Sequence, residues 1–251
     1  MNGVQGGMAN TGEKGAWAAD SMRLTLFFPT PRELKEPLLE TLIGQPAEME
    51  QTSKRPGLPN KLESGRTGHF QVNAVAQGNR LDIHISVGPT PEDAETVVRD
   101  AAAFREILTL LATNASGFAP VARIAVGASL LRKCESKVHA YGQMHHRFPC
   151  LDIDAANSDD FMFQINRSAE HPQDGRTNHI ERWSYGVFER IDIPIMSGPP
   201  EVSVGRKRIE GVKLDLDFNT AVDAVRTFDA EATKRVASDL VESIYEKMKS
   251  E

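Results

Sequence analysis

Three short motifs set chemically capable side chains two residues apart on strand-like segments. They are Asp82/His84 in L-D-I-H-I, Asp152/Asp154 in L-D-I-D-A and Asp215/Asp217 in L-D-L-D-F. A strand repeats every two residues, so both members of a pair point to one face and can present two ligands to a divalent cation. His145 and His146 precede Asp152 and Asp154 by only a few residues. Imidazole and carboxylate together are the donors of a metal-dependent hydrolase, here of the phosphoester class, drawing on Asp82, His84, His145, His146, Asp152 and Asp154. A divalent metal is the one cofactor that this reading implies. The plainer reading is structural: a sheet with one wet face produces such alternation unaided. No H-x-x-x-H or H-E-x-x-H spacing ties two histidines to one helix face, so exposed loop histidines are the better explanation of the cluster.

A second group of residues is cationic. Phe161 to Arg167 and Ile180 to Ile195 read as strands. Alternation along the second puts Trp183, Tyr185, Val187, Ile191 and Ile193 on one face and Arg182, Ser184, Phe188 and Arg190 on the other. With Arg167 flanking the connection, Arg167, Arg182, Phe188 and Arg190 form a candidate site for an anionic or base-stacking ligand. The alternative is that these arginines pair with Glu181, Glu189 and Asp192, as charges on exposed strands commonly do. Nucleophilic chemistry has less support. No G-x-S-x-G surrounds a serine, and no Walker or Rossmann glycine pattern follows a strand. Cys134, between Lys133 and Glu135, is either an activated thiol or a small core hydrophobe.

The elements that carry these residues read as α+β. Met22 to Phe28 is a strand, Pro31 to Ile43 a helix closed by Gly44, and Gln45 to Gly68 a long polar loop broken by prolines. Phe70 to Ala76 and Leu81 to Val87 make a hairpin around Gly78-Asn79, Glu92 to Ala112 a helix, and Pro120 to Leu131 a strand. The two strand-to-helix junctions are nearly the same phrase. Phe28-Pro29-Thr30-Pro31-Arg32-Glu33 and Gly88-Pro89-Thr90-Pro91-Glu92-Asp93 each offer a Thr cap, a Pro at the first helical position and an acidic residue three after the Thr. Two such corners in the order βαββαβ predict a ferredoxin-like half over 22–131. The remainder, 132–251, reads as a three-stranded antiparallel half with strands near 161–167, 180–195 and 208–218. A covering helix at 229–248 carries Val236, Leu240, Ile244 and Met248 on one stripe. Residues 1–21 read as a flexible leader with Trp17 as an anchor, and the two halves, lacking a linker, read as packed into one unit.

Composition narrows the function. At 251 residues the chain can build a full core. A net charge of −6 disfavours general binding to nucleic acid or to anionic membrane. Cysteines number only two, without C-x-x-C, which implies neither a disulfide framework nor a zinc finger and fits a reducing cytoplasm. No run nears the about 20 apolar residues of a membrane span.

The segment F-Q-I-N-R (Phe163 to Arg167), followed by N-H-I-E-R-W-S (Asn178 to Ser184), resembles a strand pair of uncharacterised bacterial proteins of similar size. L-D-L-D ahead of the last helix is similarly placed. The resemblance covers the C-terminal third; it implies a bacterial cytoplasmic protein and no particular activity. Since no catalytic motif stands clear of its structural explanation, the sequence favours a non-enzymatic binding or assembly protein that takes a protein partner or a second copy of itself. A metal-dependent hydrolase is the alternative and a nucleic-acid-binding module the third option.

Overall fold

The computed structural model describes residues 17–54, 60–87, 99–154, 157–158, 160–171, 175–192, 205–222 and 226–250. Most of the expected leader and the second Pro-Thr-Pro junction lie outside them, as do the side chains of Arg190 and His171. The strands are β1 (Ala18–Phe27), β2 (Met49–Thr52), β3 (Lys61–Thr67), β4 (Phe70–Gln77), β5 (Arg80–Val87), β6 (Arg99–Asp100), β7 (Arg123–Lys133), β8 (Met162–His171), β9 (Gly175–Asp192) and β10 (Gly205–Thr220). The helices are α1 (Leu38–Ile43), α2 (Arg105–Asn114), α3 (Lys137–Arg147) and α4 (Ala230–Ser250).

Nine of these strands form one antiparallel sheet in the order β2-β3-β4-β5-β1-β7-β10-β9-β8, and β6 pairs with one end of β1. This corrects the division into a ferredoxin-like half and a three-stranded half. The four strands expected in the first half do lie side by side as β4-β5-β1-β7, but they do not close a unit. Strands β3 and β2 add beyond β4, and β10 pairs with β7 over Gly211–Asn219, so the C-terminal strands continue the same sheet.

Each local departure has a physical cause. Pro37 lacks the N–H of a helix interior and its ring clashes with the preceding turn, so α1 begins only after it. The Thr30 junction therefore caps nothing. The α1 N-terminus has no side-chain cap of its own; Glu63 of β3 supplies one, accepting from Leu39 N at 2.8 Å. Of the helix expected over 92–112, residues 92–98 lie outside the described residues, and the helix proper begins only at Arg105. Arg99 and Asp100 pair with β1, the Asp100 carboxylate accepts from Ala102 N at 2.9 Å, and a 3-10 turn over 101–104 leads into α2. The loop expected over 45–68 holds β2 and β3. β3 escapes a hydropathy reading because its inward positions carry Lys61, Glu63 and Gly65 rather than apolar residues.

All four helices pack on one face of the sheet. Beneath them, Leu24 and Leu26 of β1, Ile83 and Ile85 of β5, Ile124, Val126 and Leu130 of β7, and Leu214 and Phe218 of β10 are buried. The stripe Val236, Leu240, Ile244 and Met248 is the face by which α4 meets them, together with Val241 and Tyr245. Trp17 is anchored as expected: its ring meets Trp183 edge-on at 5.9 Å and lies under the Arg132 guanidinium at 4.2 Å. No helix among the described residues is long and apolar enough to cross a membrane.

The Glu63 cap yields a prediction. Burial raises the affinity of this carboxyl for a proton, but Lys61 Nζ at 2.8 Å and the amides of Leu39 and Leu38 outweigh it and hold it below its ordinary 4.5. The ionised form is thus bound better in the folded than in the unfolded chain. Its contribution is complete above pH about 4.5 and is lost as pH falls through the lower folded value. Thermal unfolding followed by circular dichroism will show a midpoint that drops below pH 4.5, and Glu63→Gln will flatten that drop. At neutral pH Glu63→Ala, which removes the α1 cap and leaves Lys61 to Glu36 O and Glu50, is expected to cost about 1–3 kcal/mol.

Candidate functional site

Among the described residues the opposite face of the sheet carries no helix, and a groove of about 430 Å³ lies on it. Its walls are two adjacent rows of cross-strand partners. One row runs His84 (β5), Arg23 (β1), Gly127 (β7), Asp217 (β10) and Ile180 (β9). The other runs Ser21 (β1), Ser129 (β7), Asp215 (β10), Arg182 (β9) and Gln164 (β8). Residues up to 196 positions apart in the chain, Ser21 and Asp217, are brought onto one surface by register alone.

Contacts within the rows follow from that placement. Ser129 donates to its cross-strand partner Asp215 at 2.9 Å, and Lys213 Nζ reaches the same carboxylate at 3.0 Å. Arg182 sends both Nε and Nη2 to the single oxygen Gln164 Oε1, at 3.1 and 3.0 Å. Arg23 skips a strand. It lies across Gly127 and reaches Asp217 with Nη2 at 2.6 Å, and Asp217 also accepts from Asn219 at 3.0 Å. A Cβ on Gly127 would sit 2.7 Å from Arg23 Nε, so the glycine is what lets the arginine cross. His84 is exposed at the β5 end of the groove. At the other end of β1, a register irregularity at Asp20 half-buries that carboxyl, and burial pushes its proton affinity up, against a hydrogen bond from Ser21 and the charge of Lys213.

The six candidate metal ligands do not gather here. Asp82 lies beside the groove on β5, where it accepts from Thr25 at 2.8 Å and pairs with Arg80 at 2.6 Å. His145 and His146 occupy the exposed side of α3, which packs on the helical face, opposite to His84. His145 Nδ1 contacts Leu151 O at 3.2 Å, Asp152 is exposed, and Asp154 holds Asn157 at 2.6 Å. Among the described residues no group of three or more His, Cys, Asp or Glu side chains is placed to hold a metal ion.

The cationic candidates also separate. Arg182 lines the groove. Arg167 is directly opposite His179, hence on the helical face, where it pairs with the buried Glu181. Glu181 is held from its other side by Lys247 of α4 at 2.9 Å, so Arg167 belongs to a structural network. Phe188 is half-buried against Ile209 on β10. Cys134 is buried and burial pushes its thiol up, which makes it a core residue rather than a nucleophile. What the sequence reading missed is Arg23, Ser129, Gln164 and Gly127. Their only signal is a polar or empty position alternating with core residues, and nothing local says which of these meet.

Gly127→Ala will push Arg23 off Asp217. The pair is half-exposed, so the expected stability cost is about 1 kcal/mol or less. Urea denaturation of Arg23→Ala, Gly127→Ala and the double variant will give a double variant no less stable than Arg23→Ala, because the two changes remove one interaction.

No family model matches the chain and no curated protein matches it, so the functional argument rests on the groove.

Proposed function

We propose that this is a non-catalytic binding protein whose recognition surface is the uncovered face of the sheet. One observation carries the reading: polar side chains from six strands converge on a single groove, while the other face is committed to the helices. Ligand sites are concave, with a few convergent polar groups that orient what enters, and about 430 Å³ falls in the usual range. A buried polar array would be a liability to folding; an exposed one satisfied by its own neighbours is tolerated and ready to exchange partners. Binding is favoured over hydrolysis because the groove hydroxyl, Ser129, donates to a carboxylate that is already ion-paired, an arrangement that orients rather than activates it.

A panel of small-molecule fragments, titrated into labelled protein and followed by amide NMR, tests the reading. Binders should shift resonances of Arg23, Ser129, Asp215 and Arg182 and leave α2 and α4 unmoved. Shifts confined to the helical layer, or a panel without a single binder on the open face, would overturn it. Nucleic acid as the occupant would instead show as binding to an oligonucleotide that weakens steeply with salt.

A further inference from the structure

We infer that the groove takes a small carboxylic acid carrying a hydroxyl or amino donor beside its carboxylate, held by Arg182 and Asp215. The inference rests on the open-face reading above and assigns its ligand chemistry. It begins with how the four charged side chains of the groove are occupied. Arg23 and Asp217 neutralise each other at 2.6 Å. Asp215 is held by Lys213 and Ser129. Arg182 is the remaining charge, and among the described residues it has no carboxylate in contact; its partner is the neutral amide of Gln164.

The geometry of that contact points to the ligand. The Nε and Nη2 hydrogens of a guanidinium form a planar fork that matches the two oxygens of a carboxylate. In Arg182 this edge is the one in use, but both hydrogens converge on one oxygen, Gln164 Oε1. A shared neutral acceptor is weaker than two charge-assisted bonds, so an entering carboxylate displaces the amide. Gln164 keeps the fork extended over the groove until then. Because it is a direct cross-strand partner of Arg182, that orientation is built into the register.

Asp215 supplies the second contact. It is the cross-strand partner of Arg182 on the other side, which places the two Cβ atoms about 5 Å apart. A carboxylate has about four acceptor positions, and Ser129 and Lys213 occupy two of them. The open positions suit a donor, and a donor next to the bound carboxylate is what a hydroxy or amino acid carries. Ile180, two residues before Arg182 on the same face, offers an apolar surface to the carbon chain of the ligand.

Lactate, propionate and lactamide are the probes, titrated into the full chain and read by amide and arginine side-chain NMR. Lactate should bind saturably at Arg182 Nε, propionate more weakly, and lactamide weaker still. Arg182→Gln should weaken lactate about tenfold or more. Gln164→Glu should do the same for the opposite reason, since it puts an internal carboxylate on the fork. Gln164 is exposed and Glu has its shape, so that variant is expected to fold, and its NMR spectrum guards against mistaking unfolding for lost binding. Lactamide binding as well as lactate, or both variants binding lactate like the parent protein, would overturn the assignment. If lactate shifts open-face resonances equally in the parent and in Arg182→Gln, the acid assignment falls while the open-face reading stands. Shifts confined to the helical layer would count against both.

Discussion

Everything in this molecule depends on an antiparallel register that stays in phase across nine strands. The side-chain period is two, so one slip between neighbours would turn a whole strand over and mix the faces. From β4 through β5, β1, β7, β10, β9 and β8 the one irregularity among the described pairings is at Asp20, near the end of β1. As a result Ala74, Ile83, Leu24, Val126 and Phe218 fall in one row beneath the helices. One residue earlier on β1, Arg23 sits in a row with His84, Gly127 and Asp217 on the bare face. Core and groove are the two sides of one constraint.

Toward both edges of the sheet, charged residues replace the apolar ones on the helical side. On β3 the inward residues are Lys61 and Glu63, and on β9 and β8 they include Glu181 with Arg167. Each buried carboxylate ties the sheet to a helix: Glu63 to the start of α1, and Glu181 through Lys247 to the end of α4. Buried charges are poor net stabilisers but are costly to misplace, so such pairs fix orientation more than they add energy. They specify where α1 and the last turn of α4 sit, at the margins where the apolar contact is thinnest.

Legibility in the sequence followed how local the cause was. The β4–β5 hairpin was readable because a Gly-Asn turn and two alternating runs define it without help, and Gly78 does adopt a positive φ. The stripe of α4 was readable because period 3.6 is a property of the segment. β3 was not, since its inward side is filled by an ion pair and by Gly65, which packs against Leu39. The first Pro-Thr-Pro phrase misled because capping chemistry is a local offer that tertiary structure can decline. There Pro37 delays the helix, and the cap comes from Glu63, twenty-four residues from the amide it accepts. The candidate site was half legible. Arg182 and His84 stand out by residue type and do line the groove, but Arg167 and His145 stand out equally and face the other way.

By itself, then, the sequence determined which segments are strands and helices wherever period and turn chemistry agree, and which residues of each strand share a side. Alternation and capping act within a few residues, so they can be read along the chain. Only the tertiary structure decided that all the strands join one sheet, that the helices take one face of it, and that the residues of the other face converge. Arg23 meets Asp217 because β10 docks on β7 in one particular register and because Gly127 leaves the path between them clear. That pairing spans 194 residues, and no local pattern encodes it.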